Sequence, residues 1–354
     1  MAKLSGYRGC LLAGAVGDQL GNDPEFMRRS EILAEYGMQG VRRMSRHVTD
    51  DTQMTLFTAE GMLLGRKNGM PMPQCVHQSY LDWYATQMHR AMGGAFNVQS
   101  ALFADERLHH RRAPGNTCLS ALGSGCMGTM DEPANHSKGC GGVMRTAPCG
   151  MLRMPGLPGN EDAYALQGAQ AGAITHGHIM GWVPAAMLAD MVHMILLEDG
   201  RTLTEITMDS LNRMMRLFAP EISAAEGCEA GSGESDGRFA ALLDFRMLMT
   251  QAVKLAASDV PDHEAIARLG EGWVGDEALA IAVFCVLRHP DNMADCLSAA
   301  VTHDGDSDST GAIAGNILGA WLGVEAIPAD WLDVLEMRDV IDDMAVRLYE
   351  ADNE

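Results

Sequence analysis

With 354 residues, the chain is long enough for one large core or for two ordinary domains. Hydrophobic residues make up 47% of it and aromatics only 5%, and alternating runs of Val, Ile, Thr or Tyr are few, which argues against a large sheet and for packed helices. A formal net charge of -21 argues against nucleic-acid binding through a general basic field, and nine cysteines with no C-x-x-C pair argue against a disulfide framework.

The first predicted helix, Tyr7 to Leu20, carries Gly9, Ala13, Gly17 and Gly21 at four-residue intervals. Glycine inside a helix costs about 0.5 to 1 kcal/mol relative to alanine, so this bare stripe implies close approach of another backbone. Lys3, Arg8 and the apolar run Cys10 to Val16 imitate a signal peptide, but the run is short, broken by glycine and followed by Asp18. No continuous apolar stretch reaches the roughly 18 to 20 residues of a membrane span, so a cytoplasmic protein with no membrane partner is expected. A loop is expected from Asn22 to Ser30.

Thr49-Asp50-Asp51 precedes a predicted helix from Thr52 to Leu64. Taken alone, the threonine is a cap and the aspartates complement the helix dipole. A helix from Cys75 to Gln87 follows. His89 to Gly115 then reads as a loop that includes Asn97 and the basic run Arg107, His109, His110, Arg111 and Arg112, a solvated face with some potential to contact a target protein.

In Asn135 to Arg145, consecutive glycines can expose backbone N–H groups to a phosphate, with Lys138 close in sequence. After a helix from Ala163 to Ile174, the segment Thr175-His176-Gly177-His178 lacks the Cys or acidic companions of a metal pair, and a ligand-contacting or core histidine fits it better. Helices are further predicted at Pro184 to Leu197, around Leu203 to Phe218 and at Ala240 to Ala256, with a glycine-rich surface excursion from Glu221 to Gly237. The last two predicted helices are Asp276 to Leu287 and Ser309 to Leu322.

Gly311, Gly315, Gly319 and Gly323 repeat the four-residue stripe of the first helix, and just ahead of them lies Asp304-Gly305-Asp306-Ser307-Asp308-Ser309. A calcium loop of the EF-hand type starting at Asp304 requires Gly at Ser309 and Glu at Gly315, and both positions fail. If the two striped helices pack together, the two acidic clusters share one place. Four crowded carboxylates with Thr and Ser hydroxyls form a hard-oxygen set suited to Mg²⁺, Mn²⁺ or Ca²⁺. A domain boundary at 221–237 would divide that site, so a single domain over 1–354 is expected.

These motifs resemble the ADP-ribosylglycohydrolase family, which includes dinitrogenase-reductase-activating glycohydrolases and ADP-ribosylarginine hydrolases. The likeness rests on Arg8 to Asp18 with Pro24-Glu25-Phe26, on Thr49 to Thr52, on Arg112 to Thr117, on Lys138 to Pro148, on Thr175-His176, on Gly272 to Ala282 and on Gly305 to Gly311. It implies a compact all-α, single-domain bundle of many helices with two Mg²⁺ (or Mn²⁺) in a central cleft. By motif position, Thr49, Asp50, Asp51, Asp306, Asp308 and Ser309 would be the metal ligands, with Glu25 and Asp306 catalytic. Lys138, Gly139, Cys140, Gly141, Gly142 and His176 would bind the substrate.

The implied activity is metal-dependent hydrolysis of the N-glycosidic bond between ADP-ribose and an arginine of a modified protein. Alternatives are the same fold acting on a serine, acetyl-ester or nucleobase linkage, or an immunity protein that occludes an ADP-ribosylating toxin. The partner in the first case is the ADP-ribose moiety on the target, with a cognate transferase or toxin as a further expected partner.

Overall fold

The computed structural model describes residues 3–88, 100–157, 159–226 and 233–354, with side chains undescribed at 220–226 and 233–236. Asn97 and the first part of the expected loop from His89 therefore lie outside the described residues. In chain order the helices are α1 (Leu4–Gly21), α2 (Arg29–Tyr36), α3 (Asp50–Asn68), α4 (Met72–Gln87), α5 (Asn116–Gly123), α6 (Asp162–Ala173), α7 (Ile179–Leu196) and α8 (Leu203–Glu226). The second half holds α9 (Gly233–Ala256), α10 (Asp262–Ala267), α11 (Gly275–Arg288), α12 (Met293–Val301), α13 (Ser307–Leu322), α14 (Ala329–Val334) and α15 (Arg338–Asn353). Among the described residues the one β contact is an isolated antiparallel bridge between Gly139 and Val274. The fold is all-α.

Antiparallel packing of α1 on α13 is its organising contact, and the two glycine stripes form it in register. A Cβ added to Gly17 would stand 2.0 Å from the carbonyl oxygen of Gly311, one on Gly315 would stand 2.0 Å from that of Ala13, and one on Gly9 would stand 2.1 Å from that of Gly319. Ordinary carbon–oxygen contacts need more than 3 Å, so only glycine allows this separation. The consequence is positional. The C-terminal end of α1 lies beside the N-terminal end of α13, so Asp18 and the chain after it arrive at Asp306 and Asp308.

Around this pair, α7 forms the centre of the core. The sequence reading starts this helix at Pro184 and finds no membrane-length apolar segment. The structure starts it at Ile179, with Pro184 inside, and by length and composition it is apolar enough to cross a membrane. Its burial is 94%, so its apolarity is used against other helices, among them α6, α8 and α13. The excursion expected at 221–237 is also shorter than read: residues 221–226 continue α8 and 233–237 begin α9.

Candidate functional site

The acidic clusters occupy the N-terminal ends of two buried helices. Thr49 caps α3, its Oγ1 accepting from the Asp51 N–H at 3.2 Å, and Asp306 caps α13, its Oδ1 accepting from the Ser309 N–H at 3.3 Å. Asp308 Oδ1 accepts from the same Ser309 N–H at 2.8 Å. Both helices direct the positive end of their dipoles at the clustered carboxylates. The capping role and the clustering role are therefore held by the same residues.

Asp18 braces this arrangement from below, a function the sequence reading did not assign. It is fully buried, and its carboxylate accepts from the Thr49 N–H at 3.0 Å, from the Thr52 N–H at 3.1 Å and from the Thr52 hydroxyl. That fixes the first turn of α3 against the end of α1. Gly305 sets the other cluster: its φ of 132° is open to glycine, and a Cβ there would stand 2.0 Å from the Glu271 carbonyl oxygen. The same carbonyl accepts from the Asp306 N–H at 2.9 Å, which ties Asp306 to the segment carrying Trp273.

Glu25 enters from the loop after α1. One oxygen each of Glu25, Asp306 and Asp308 lie within 4.8 Å of one another. Together with Asp50, Asp51 and Ser309 they floor a cleft of about 370 Å³. Its walls are the Gly139-Cys140-Gly141 turn with His176, the segment from Ala113 into the first turn of α5 at Cys118, and Phe26 with Trp273. The rings of Phe26 and Trp273 stack with centroids 5.1 Å apart at the mouth. Gly115 donates its N–H to Asp50 Oδ2 at 3.2 Å, which brings the 113–118 wall to the acidic floor.

Most of the site residues named from sequence converge here. Thr49 sits just behind the floor as the α3 cap. Two of the expected substrate contacts lie elsewhere: Gly142 faces α7, where a Cβ would stand 2.1 Å from the Gly181 carbonyl oxygen, and the exposed Lys138 side chain is not part of the cleft wall. Lys138 contributes its backbone instead, the carbonyl accepting from the Gly275 N–H at 2.8 Å beside the bridge. Asn116, Thr117 and Trp273 also line the cleft, and nothing local in the sequence marks their side chains as cleft residues.

Burial, and secondly the neighbouring negative charges, push the carboxyls of Asp51 and Asp308 well above the usual range. Burial likewise pushes Asp50 and Glu25 up to about 8 and Asp18 up to about 6. Asp51 Oδ1 is buried without a hydrogen-bond partner among the described residues. An orphaned carboxylate oxygen beside three converging acids fits divalent cations with hard-oxygen preference, and no Cys/His zinc set is present among those floor residues.

The family model described as ADP-ribosylglycohydrolase matches residues 2–354. The chain belongs to the ADP-ribosylglycohydrolase family. Among curated relatives of this family, it is 25% identical over 339 residues to ADP-ribosyl-[dinitrogen reductase] glycohydrolase of Rhodospirillum rubrum, spanning 93% of this chain and 90% of that one. It is 26% identical to ADP-ribosylhydrolase ARH3 of Danio rerio, over 98% and 90% of the two chains. ADP-ribosylarginine hydrolase Tri1 of Serratia proteamaculans (strain 568) is 23% identical, over 97% and 78%. A solved chain of an ADP-ribosylglycohydrolase-related protein complex shares the fold with a TM-score of 0.61 and 22% identity, over 99% of this chain and 98% of that one. Family membership makes the protein a hydrolase of ADP-ribose glycosidic bonds.

The raised carboxyls give a pH signature. In the folded chain they hold protons between the unfolded value of about 4 and about 8, where the unfolded chain has released them, so the stability these carboxyls contribute without metal is full below about pH 4 and is lost as pH rises toward 8. Cations that replace those protons remove the loss. Thermal melts at pH 5, 6.5 and 8 should show a falling melting temperature without Mg²⁺ and a Mg²⁺-induced rise that grows with pH. Parallel curves with and without the ion would contradict this account of the cluster.

Proposed function

We propose that the protein hydrolyses the N-glycosidic bond between C1 of the terminal ribose of ADP-ribose and an arginine guanidinium of a modified protein. The observation that carries the reading is the convergence of Glu25, Asp306 and Asp308 at the floor of a cleft walled by a glycine turn and a buried histidine. The name of the Tri1 relative supports arginine as the linkage, and so does the charge of -21, which favours a cationic target over an anionic one.

Thr49, Asp50, Asp51, Asp306, Asp308 and Ser309 would hold two divalent cations, Mg²⁺ or Mn²⁺. When bound, these supply Lewis acidity and neutralise the crowded carboxylates. The remaining work falls to the chain. The Gly139 to Gly141 turn and His176 would seat the diphosphate, which an acidic protein accepts only where backbone dipoles and neutral donors replace its own negative surface. Seating the diphosphate fixes the ribose over the floor and removes most of its freedom before reaction.

Glu25 would accept a proton from the attacking water as the new C1–O bond forms and the C1–N bond breaks. The electron pair of the broken bond goes to the arginine nitrogen, which takes up a proton to restore the guanidinium. A carboxylate placed beside the acidic floor suits this transfer, and such groups contribute typically about 10² to 10⁴ in rate. Glu25→Gln should therefore lower kcat by about that factor with KM near wild type, and, like any neutralisation of this cluster, leave the metal-free melting temperature at or above wild type. Unchanged kcat would remove Glu25 from the mechanism.

The deciding assay is release of ADP-ribose from an arginine-modified protein, with and without a chelator, beside a serine-modified one. Chelator-sensitive release from the arginine substrate supports the reading. Release from the serine substrate alone moves the function to the other linkage.

A further inference from the structure

Behind the glycine turn lies a buried cation whose hydrogen bonds, among the described residues, all go to neutral groups. Arg145 is fully buried: its Nε donates to the Tyr80 hydroxyl at 2.9 Å, Nη1 to Cys118 Sγ at 3.2 Å, and Nη2 to Thr175 Oγ1 at 2.6 Å. The guanidinium also stands over the Tyr80 ring, 4.6 Å from its centroid. A buried charge without a counterion is costly, so its position needs a reason beyond packing.

The direction of the hydrogen bonds supplies one. A guanidinium has only donors, so Thr175 Oγ1 is the acceptor of the Arg145 contact. The hydroxyl proton must then go elsewhere, and His176 Nδ1 lies 2.8 Å away. Among the described residues the Cys118 sulfur also approaches the hydroxyl, but it is a weak acceptor already facing Arg145. A proton donated to Nδ1 leaves the ring proton on Nε2. That nitrogen faces the glycine turn, where a Cβ on either Gly139 or Gly141 would stand 3.4 Å from it, and the ring lines the cleft. Burial, with the Arg145 charge adding to it, lowers the imidazole to about 3 and keeps it neutral.

We propose that Arg145 and Thr175 are positioning residues that lock His176 in its Nε2–H form, so that the ring offers the cleft one fixed neutral donor for an anionic ligand oxygen. The ligand half of this rests on the reading of the cleft as an ADP-ribose site. A neutral donor with a set direction grips a phosphate oxygen without the desolvation cost of a second buried cation, and it rejects a donor group in the same place.

Long-range ¹H–¹⁵N NMR of the full-length protein with Mg²⁺ reads the tautomer directly, with His176→Gln assigning the ring signals. Binding of ADP-ribose by calorimetry reads the consequence. Wild type should show the Nε2–H ring. Thr175→Val should shift it toward Nδ1–H and weaken ADP-ribose binding about tenfold, and Thr175→Ser should restore both. A wild-type ring protonated at Nδ1, or a Thr175→Val protein with unchanged tautomer or unchanged affinity, overturns the proposal. If Thr175→Val fails to fold, Thr175→Ala takes its place with the same expected shift in tautomer and affinity. If ADP-ribose binds to none of the proteins, the ligand reading falls while the wild-type spectrum still decides the tautomer.

Discussion

Asp308→Asn is expected to reduce ADP-ribose release about a thousandfold, equivalent to about 4 kcal/mol, while raising the melting temperature of the metal-free protein. The two effects come from one charge. Asp308 is buried among Asp51, Asp306 and Glu25, and its own carboxyl is pushed well above the usual range by burial and then by those neighbours. Without the carboxyl the metal-free chain no longer has to take up a proton on folding, and the asparagine oxygen can still accept from the Ser309 N–H as Asp308 Oδ1 does. It also removes one of the oxygens that would hold a cation, so Mg²⁺ should no longer raise the melting temperature to the wild-type extent. Melts with and without Mg²⁺, paired with the release assay, check both halves. An active variant with an undiminished Mg²⁺ response would show that the acidic floor is not the metal centre.

That residue illustrates how far the sequence could be read. The acidic clusters were legible because each packs its carboxylates into a few consecutive positions, and the stripes were legible because glycine every fourth residue in a helix has a cost that demands a partner. Joining the two observations places both clusters at one site. The cleft walls were not legible in the same way. Trp273 reaches the mouth because Glu277 Oε2 accepts from the Glu271 and Gly272 N–H groups, at 3.0 and 3.2 Å, and holds the preceding turn in place. No local periodicity encodes such a contact.

The misread elements have equally local causes. Pro184 resembles a helix start because proline favours the first turn, yet α7 begins five residues earlier and carries it inside. The short helices α2, α5, α10, α12 and α14 offer too few turns for a periodic signal to rise above composition. In α15, Ile341, Met344, Ala345 and Leu348 do form a buried stripe, but acidic residues interleave it and mask the pattern. Lys138 is the basic residue nearest the glycine turn in sequence. Its backbone holds the turn to Val274 and Gly275, and that pairing leaves the side chain in solvent.

The second large effect is structural: Gly315→Ala should destabilise the protein by about 3 kcal/mol or more, whereas Gly237→Ala should be neutral or stabilise by about 0.5 to 1 kcal/mol. Both replacements lie in helices, α13 and α9, and both improve intrinsic helix propensity. They differ in what the added methyl meets. At Gly315 the Cβ would stand 2.0 Å from the Ala13 carbonyl oxygen and 2.5 Å from its carbon, whereas at Gly237 nothing among the described residues lies within 4 Å. The obstruction at Gly315 is backbone on a buried helix, which cannot rotate aside as a side chain would, so α1 and α13 must separate by more than 1 Å along the contact. Because α1 delivers Asp18 and the Glu25 loop, and α13 delivers Asp306 and Asp308, that separation also spoils the floor of the cleft. Gly315→Ala protein that remains folded at low temperature should therefore show a lower kcat as well as a lower melting temperature. A Gly315→Ala protein that melts with wild type would mean that the helices are held apart by more than the glycine stripes require.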